Sequence, residues 1–268
     1  STISGNTAMD GGGLASMYGS PVDVYDSTIA LNTASREETD GWFGGGGGVC
    51  VNGYSLRLAN SIVASNTAHN NGHDVTLFNI AGPTPPIAGD HNIVMSSSPA
   101  APPDTIATDP GLLPLADNGG PTLMNALAPG SVPIDAGRPS IGLFVDQRGP
   151  GFPRATGAAA DIGAFESGTP PPPVSDCSEA AVRAAIANAP DGRIVDLSPL
   201  SHCTITLADG AFTSAVDNIA IIGPGDRTLT FDGGRHDRVI LHSGGGVLKL
   251  DHLDITRGYI DGGKYAGG

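Results

Sequence analysis

The stretch STISGNTA at residues 1–8 decides the fold, because it returns as STIALNTA at 27–34 and as SIVASNTA at 61–68. Each copy has a few alternating β-branched residues, then asparagine, then Thr-Ala, and a glycine-rich stretch follows. A run of this length forms one short strand, and asparagine and glycine suit corners. The sequence therefore predicts short parallel strands stacked in successive coils, a β-solenoid, rather than the longer strands and tight hairpins of a sandwich.

The asparagines of the three copies predict how the coils align. Asn6, Asn32 and Asn66 would lie above one another in stacked coils, where their amides can form a hydrogen-bonded ladder. Asparagine also tolerates a left-handed backbone, so we expect each of them to turn the chain at its corner. Residues 218–268 repeat the order of strand, glycine corner and strand, and Gly258 takes the position of Asn6 when DITRG is aligned with TISGN. We therefore expect coils of the same type there.

Residues 179–189, EAAVRAAIANA, have the apolar spacing of a short amphipathic helix. Ser178 or Asp176 can serve as its N-cap, and Pro190 with Gly192 ends it. The side chains on the apolar face are Val182, Ala185, Ile186 and Ala189. We expect this face to cover the first coil beside it and to protect that end of the core from water and from added strands.

Two cysteines flank the start of this segment. Cys177 precedes the helix, and Cys203 opens the strand-like run CTITL. A disulfide between them would fasten the helix to the first coil and would suit an oxidising compartment. The alternative is a pair of buried thiols that lie near each other without bonding.

Charge and hydropathy exclude several classes of partner. The chain carries 27 acidic against 13 basic side chains, a net charge of −14, and no cluster of lysine and arginine stands out. Nucleic acid and anionic membrane surfaces require such clusters, so neither is expected as a partner. No apolar run reaches the length of a membrane-spanning helix, so the protein is not expected to be transmembrane.

Two blocks in the middle of the chain resemble a known family. DNGGPTLMNALAPGSVPIDAG at 117–137 and DQRGPGFPRATGAAADIGAFE at 146–166 are similar to the C-terminal portion of bacterial surface proteins with a choice-of-anchor Q domain. These proteins are related to the polymorphic outer-membrane repeat families. CSEAAVRAAIANAPDG, from residue 177, looks like their N-terminal cap. The resemblance implies an all-β chain that forms a right-handed, single-stranded parallel β-helix with a short capping helix at 179–189.

The order of the blocks departs from that family, because the closing block precedes the opening one. Residues 1–127 are assigned to central and late coils and 128–167 to the closing DIGAFE segment. Residues 168–176 form a proline-rich linker, and 177–268 form the capping helix and early coils.

Two arrangements could produce this order. One is a circular permutant that forms a single β-helix, which we favour; it requires the closing segment to fold back along the coils before the linker. The other is a pair of half-domains, in which each open coil stacks on a neighbouring chain.

The corner DGGRHDR at 232–238 is the richest polar cluster in the sequence. Its charged residues are Asp232, Arg235, His236, Asp237 and Arg238. Arginine can bind the carboxylate of a uronic acid, aspartate can bind calcium, and arginine or histidine can act as a base. This corner therefore supports an alternative function, a polysaccharide lyase or hydrolase that acts on acidic glycans. The simpler interpretation is a solvated corner loop, which we prefer.

Charged residues in the closing segment are interpreted as structural. Asp146, Arg148, Arg154 and Asp161 alternate in sign near proline and glycine. An Asp146–Arg148 or Arg148–Asp161 ion pair would hold a segment that lacks regular strand pairing. No metal site or cofactor is predicted, and calcium is considered only for the alternative enzyme.

The resulting hypothesis is a secreted or cell-surface bacterial β-helix protein without catalytic activity of its own. Its role would be that of a structural scaffold, an adhesin or a self-assembly module. The expected partners are a second copy, stacked end to end, or a surface glycan or host protein. The extracellular or cell-surface location follows from the resemblance.

Overall fold

The computed structural model describes residues 1–17, 19–36, 45–53, 55–69 and 73–260. The chain forms two compact units. The first contains Ser1–Ser140 and Val145–Gly168, and the second contains Ile141–Phe144 and Thr169–Gly268. Both are built from stacked parallel strands, which confirms the predicted parallel β-helix.

The coils of the first unit consist of short strands that recur at four positions. These strands are β1 (Thr2–Ser4), β2 (Thr7–Ala8), β3 (Leu14–Ser16), β4 (Val22–Tyr25), β5 (Thr28–Ala30), β6 (Thr33–Ala34), β7 (Val49–Asn52), β8 (Leu56–Ala59), β9 (Ile62–Ala64), β10 (Thr67–Ala68), β11 (Val75–Phe78), β12 (Ile87–Asp90), β13 (Ile93–Val94) and β14 (Ser97–Ser98). They form four sheets with the orders β1-β5-β9-β13, β2-β6-β10, β3-β7-β11-β14 and β4-β8-β12. All of their pairings are parallel.

The copies of the repeat stack on one another in register. Ile3 pairs with Ile29, and Ile29 pairs with Val63. The Thr-Ala dipeptides of the three copies pair in the same way through β2, β6 and β10. Ile29 and Val63 are fully buried, and burial of such a side chain contributes about 1.5–3 kcal/mol. Equivalent residues of the repeat therefore form columns in the core.

The three asparagines form the predicted ladder. The backbone N and the Nδ2 of Asn6 both donate to Oδ1 of Asn32, at 3.0 and 2.9 Å. The same two groups of Asn32 donate to Oδ1 of Asn66, also at 3.0 and 2.9 Å. Asn66 donates in turn to the carboxylate of Asp74, which ends the ladder and was not predicted. Each asparagine thus fixes the register of the coil beside it.

The expectation that these asparagines themselves turn the chain is wrong. The left-handed residue at each corner is the one before the asparagine: Gly5 (φ 72°), Leu31 (φ 59°) and Ser65 (φ 59°). Leu31 and Ser65 adopt this backbone at some cost in conformational energy. The asparagine amide is used for bonds between coils, so the preceding residue makes the turn.

Residues 79–130, assigned from the sequence to the late coils and the start of the closing segment, are rich in proline. They contain β12, β13 and β14, and then an antiparallel pair that was not predicted, β15 (Leu112–Ala116) with β16 (Met124–Leu127). Pro114 lies within β15, where proline is tolerated because this strand pairs on one side only. Leu127 packs with Ile62 and Ile162 in a second cluster of buried side chains.

The second unit repeats strands at three positions. Its elements are α1 (Glu179–Ala187), β17 (Arg193–Asp196), β18 (Cys203–Thr206), β19 (Phe212–Ser214), β20 (Ile219–Ile222), β21 (Leu229–Asp232), β22 (Ile240–His242), β23 (Leu248–Asp251) and β24 (Asp254–Thr256). The sheet orders are β17-β20-β23, β18-β21-β24 and β19-β22, and every pairing is parallel.

The segment before β17 covers the first coil of the second unit strand by strand. The backbone N of Val174 donates to the carbonyl of Asp196 at the end of β17, at 2.8 Å. The predicted disulfide joins Cys177 to Cys203 at the start of β18, and α1 lies against β19. The helix therefore acts as the expected cap.

The boundaries and contacts of the cap helix follow its sequence closely. The side chain of Ser178 accepts from the backbone N of Ala181, which makes it the N-cap. The buried Val182 and Ile186 pack into the core of the unit. The helix ends at Ala187 rather than at residue 189, because Ala189 precedes a proline and residues in that position avoid the helical conformation.

The ladder predicts that a substitution at its centre lowers the free energy of unfolding more than the same substitution at its end. Asn32→Leu keeps the shape of this fully buried side chain but removes its bonds to both neighbouring coils. We expect a loss of about 3 kcal/mol in the free energy of unfolding, because buried partners are left unsatisfied. Asn6→Leu, at the exposed end of the ladder, is the matched control and should lose less than about 1 kcal/mol. Denaturant unfolding followed by circular dichroism measures both, and equal losses would contradict the ladder.

The disulfide predicts a second stability effect. It closes a loop with a sequence separation of 26 residues. Replacing both Cys177 and Cys203 with serine should lower the free energy of unfolding by about 3 kcal/mol, since the unfolded chain regains the freedom of that loop. Exchange of the α1 amides, measured by mass spectrometry, should increase more than exchange in β8 and β9 of the first unit. Unchanged protection of α1 would refute its fastening by the disulfide.

Candidate functional site

Asp232, the first residue of the 232–238 corner, ends β21 and is held by an arginine of the next coil. Nε of Arg257 donates to its Oδ1 at 2.7 Å, and a second guanidinium nitrogen contacts its Oδ2. The backbone N of Gly234 donates to the same Oδ1 at 3.0 Å. The bond from Arg257 is the main reason that the pKa of Asp232 is lowered. This carboxylate is therefore ionised and engaged in an ion pair between coils.

The other charged residues of the corner lie in a tight turn. Arg235 has a left-handed backbone (φ 64°), and its N donates to the carbonyl of Arg257 at 2.8 Å. The N of His236 donates to Gly233 at 3.1 Å. The carboxylate of Asp237 accepts from the N of Arg238 at 2.7 Å. These contacts fit the solvated corner loop that we preferred on sequence grounds.

The strand register also separates this corner from the acidic residue on the following strand. Asp254 of β24 pairs with Thr230, whereas Asp232 pairs with Thr256. The two carboxylates are thus offset by two positions, roughly 7 Å along the strand direction. Asp261, the next acidic residue along the chain, lies outside the described residues.

A buried ion cluster in the closing segment is the most densely bonded polar site of the first unit. Arg154 is fully buried and donates to the carbonyls of Asp161 and Gly163, at 2.7 and 2.9 Å. The same guanidinium donates to the carboxylates of Glu166 at 3.2 Å and Asp26 at 3.3 Å. Asp26 lies between β4 and β5, so Arg154 ties the closing segment to a corner of the coils.

Glu166 is the second centre of this cluster and was not predicted. Its carboxylate accepts from the backbone N of Thr156 and of Asp161, both at 2.8 Å, besides Arg154. Burial, and then the nearby charge of Asp161, raise its pKa to about 7, because these effects exceed the stabilisation by hydrogen bonds and by Arg154. In the sequence, the glutamate at the end of DIGAFE gave no sign of its partner, which lies twelve residues earlier.

One of the two expected ion pairs forms, and the other does not. Arg148 donates to Asp146 at 2.6 Å, and its guanidinium stacks on the rings of Phe152 and Phe165, each 4.2 Å away. The Arg148–Asp161 pair was wrong. Asp161 instead accepts from the N and Oγ of Ser167, both at 2.6 Å, and from the backbone N at position 135. Backbone donors in this irregular segment need acceptors, and Asp161 supplies them.

The closing segment folds back along the coils within the first unit. The N of Gly163 donates to the carbonyl of Asn60, at 3.0 Å, and the N of Ala164 donates to Oγ1 of Thr28, at 3.1 Å. At the first coil, Oγ1 of Thr2 donates to the side chain of Gln147 at 2.7 Å. The segment therefore reaches the first coil of its own unit.

The first coil of this unit exposes an open end. In the described part of the chain, β1 to β4 are each the outermost strand of their sheet. Their core side chains Ile3, Leu14 and Val22 are only partly buried, although the side chains at the same positions one coil further are fully buried. At the other end, Ile87 and Val94 stay buried at 4 and 2% exposure.

The last described coil of the second unit shows the same pattern. The outermost strands there are β22, β23 and β24. Ile255 and Leu250 are 43 and 40% exposed. By contrast Phe231, which pairs with Ile255 on the inner side, is fully buried. Among the residues that the structure describes, each unit thus has one covered end and one open end.

Comparison with known proteins does not extend these observations. No family model, curated protein or solved structure matches the chain. Within the described ranges, no three His, Cys, Asp or Glu side chains are grouped so that they could hold a metal ion. No helix in that part of the chain is long and apolar enough to cross a membrane.

The pKa of Glu166 predicts how the stability of the first unit depends on pH. Its value of about 7 in the folded unit exceeds the ordinary value of about 4.5, so the folded state binds the proton more tightly. Its stabilising contribution is therefore complete below about pH 4.5 and is lost as the pH rises through 7, by up to about 3 kcal/mol. Burial raises the pKa of Asp161 in the same direction.

Hydrogen exchange of peptides from β8 and β9 at pH 5 and pH 8, corrected for intrinsic rates, measures this dependence. Glu166→Gln is the control and should flatten it. Stability that increases from pH 5 to pH 8, or an unchanged slope in the variant, would contradict the assignment.

Proposed function

We propose that the protein is a secreted or cell-surface structural module that assembles by continuing its β-helical coils into the coils of another copy. One observation carries this proposal: in the described part of the chain, each unit is covered at one end and presents unpaired strands at the other, where core side chains are partly buried in the first unit and exposed in the second. Unpaired strand edges readily add strands from another chain, and contiguous exposed apolar surface marks interaction sites.

The covered ends support the proposal because each of them provides contacts to strands that would otherwise be unpaired. In the second unit, the proline-rich segment, the disulfide and α1 each cover one strand of the first coil. In the first unit, Ile106 pairs alongside β13, and Ala101 packs against the core. Of the open coils, the first coil of the first unit is contacted by β16 and Gln147, but no described strand pairs with the outer edge of either open coil.

Two observations support an extracellular location. The Cys177–Cys203 disulfide is typical of oxidising compartments. The closing segment resembles that of bacterial surface proteins, which implies display at the cell surface. Both observations agree with a structural role outside the cytoplasm.

The alternative enzyme loses its main support at the 232–238 corner. A lyase would need Asp232 free to bind calcium or substrate, but Arg257 occupies both carboxylate oxygens. A structural ion pair accounts for this residue, so we keep the assembly module as the proposed function.

Self-association of the 268-residue chain tests the proposal. Sedimentation velocity over a hundredfold range of concentration should show an average mass that rises with concentration. Ile255→Lys places a charge on the open end and should weaken association about tenfold or more, because the lysine would have to be buried. Ile80→Lys, the same change at a site with 64% exposure in a loop after β11, is the matched control. A strictly monomeric chain, or equal effects of both substitutions, would refute the proposal.

A further inference from the structure

We infer that the partner of the open β24 edge is β1 of a second copy, paired in parallel with Ile255 opposite Ile3. This inference rests on the proposed function and specifies which edges meet and in which register. It is carried by three features of the described residues: matching corner geometry, an acceptor without a partner at the end of the asparagine ladder, and continuity of the core column.

The corner geometry of β23 and β24 is the same as that of the first unit. Each of these corners has a four-residue strand, a left-handed residue, one further residue, a three-residue strand and a second left-handed residue. The left-handed pairs are Asp26 and Leu31 (φ 46° and 59°), Asn60 and Ser65 (50° and 59°), and His252 and Arg257 (55° and 50°). The first two corners already stack on each other through β4–β8 and β5–β9. A coil that ends in the third corner therefore has the backbone shape that stacks on this fold.

The register follows from the position of the left-handed residues. β1 is also a three-residue strand followed by a left-handed residue, Gly5 (φ 72°). When Ile255 is set opposite Ile3, Arg257 falls opposite Gly5, and Gly258 falls opposite Asn6. The two corners then turn at the same place, as they do wherever these coils pair within the first unit.

The asparagine ladder ends at Asn6, whose Oδ1 accepts no bond from the described residues and whose Nδ2 donates to Asn32 and, at 3.3 Å, to the carbonyl of Ser4 in its own coil. Within the first unit, the asparagine of each coil accepts at Oδ1 from the backbone N of the coil before it. Its Nδ2 donates to the carbonyl of the isoleucine in that preceding coil: Asn32 to Ile3 at 3.0 Å, and Asn66 to Ile29 at 2.9 Å. By the same rule, Asn6 would accept from the N of Gly258 and donate to the carbonyl of Ile255.

The side chains across the proposed pairing are compatible. Ile255 stacks on the fully buried Phe231 in the second unit, and Ile3 stacks on the fully buried Ile29 in the first. Their contact would join the two core columns and bury the 43% of Ile255 that is now exposed. The neighbouring pairs would be Asp254 with Thr2 and Thr256 with Ser4, so no like charges oppose each other.

The pairing is confined to part of the coil, which limits its strength. β23 precedes β24 by the same corner by which β4 precedes β5. If β24 lies next to β1, β23 falls one strand position short of β4, and the outer edge of β4 stays unpaired. We therefore expect reversible association that depends on concentration rather than a permanent complex.

Disulfide trapping tests the register. Ser4→Cys together with Thr256→Cys places two thiols directly opposite each other, about 5 Å apart between Cα atoms, which is within the range for a disulfide. Ser4→Cys with Asp254→Cys is the matched control, displaced by two residues to roughly 8 Å, beyond that range. Under mild oxidation of the full chain, the first variant should give cross-linked dimers and higher species at least fivefold faster than the control. Peptide mass spectrometry should identify the junction between positions 4 and 256.

The other possible outcomes contradict the register, the identity of the partner or the proposed function. Equal or absent cross-linking in a chain that still associates in the centrifuge would refute this register but not the proposed function. A cross-linked species of monomer mass would show that the partner is not a second copy. If the unmodified chain does not associate at all, the proposed function itself is refuted.

A second measurement does not depend on the engineered thiols. Asn6→Ala removes the acceptor and donor that would meet Gly258 and Ile255, and it should weaken self-association about fivefold. Asn118→Ala, in the loop between β15 and β16, is the control and should leave association unchanged. Equal association of both variants would overturn the role of Asn6.

Discussion

The whole structure depends on one constraint: every coil of a parallel β-helix has its backbone groups satisfied only by the coils on either side. A strand of three residues has little stability of its own, and the stack gains stability through the contacts between neighbours. The asparagine ladder enforces this constraint at one corner. Since Asn32 bonds to the coil before it and the coil after it, slippage by one residue would break both sets of bonds and move the core side chains to the outside.

The same constraint explains why the ends of the stack contain the most elaborate chemistry. An end coil lacks a neighbour, so its donors, acceptors and apolar side chains need another cover. The second unit uses a helix fastened by a disulfide. The closing segment of the first unit lies beside the coils rather than at an end, and because it lacks regular strands it is held by the buried cluster of Arg154, Glu166 and Asp26. Buried charges contribute little net stability, but breaking such a pair is costly, which makes the position of the segment specific.

Features that depend on nearby residues could be predicted from the sequence, whereas features imposed by neighbouring coils could not. The ladder was predictable because Asn6, Asn32 and Asn66 recur in one phrase, and the cap because Val182 and Ile186 follow helical spacing. The left-handed backbone of Leu31 was not predictable, because nothing in the chemistry of leucine favours that conformation. Stacking of the coils imposes it. The β15–β16 hairpin has a weak signal, the Asn-Gly pair at 118–119 between two apolar runs, which we did not use.

The charged sites were harder to predict, because their partners are distant in the chain. Arg154 meets Asp26 across 128 residues, and Asp232 meets Arg257 across 25. A pattern read along the sequence identifies such residues as charged but cannot pair them. Both pairs depend on which coil lies beside which, and so the 232–238 corner resembled a reactive cluster until its register was known.

The direction of the strands determines which open ends can pair with each other. Parallel strands pair only when both run in the same direction, and each coil has a preceding and a following side. The open coil of the second unit presents a following side, at β24, and the open coil of the first presents a preceding side, at β1. Two copies of the same open end would meet with opposed strand directions and without the ladder. The proposed contact would therefore be heterologous, head to tail, and such contacts give open chains unless their rotation closes a ring.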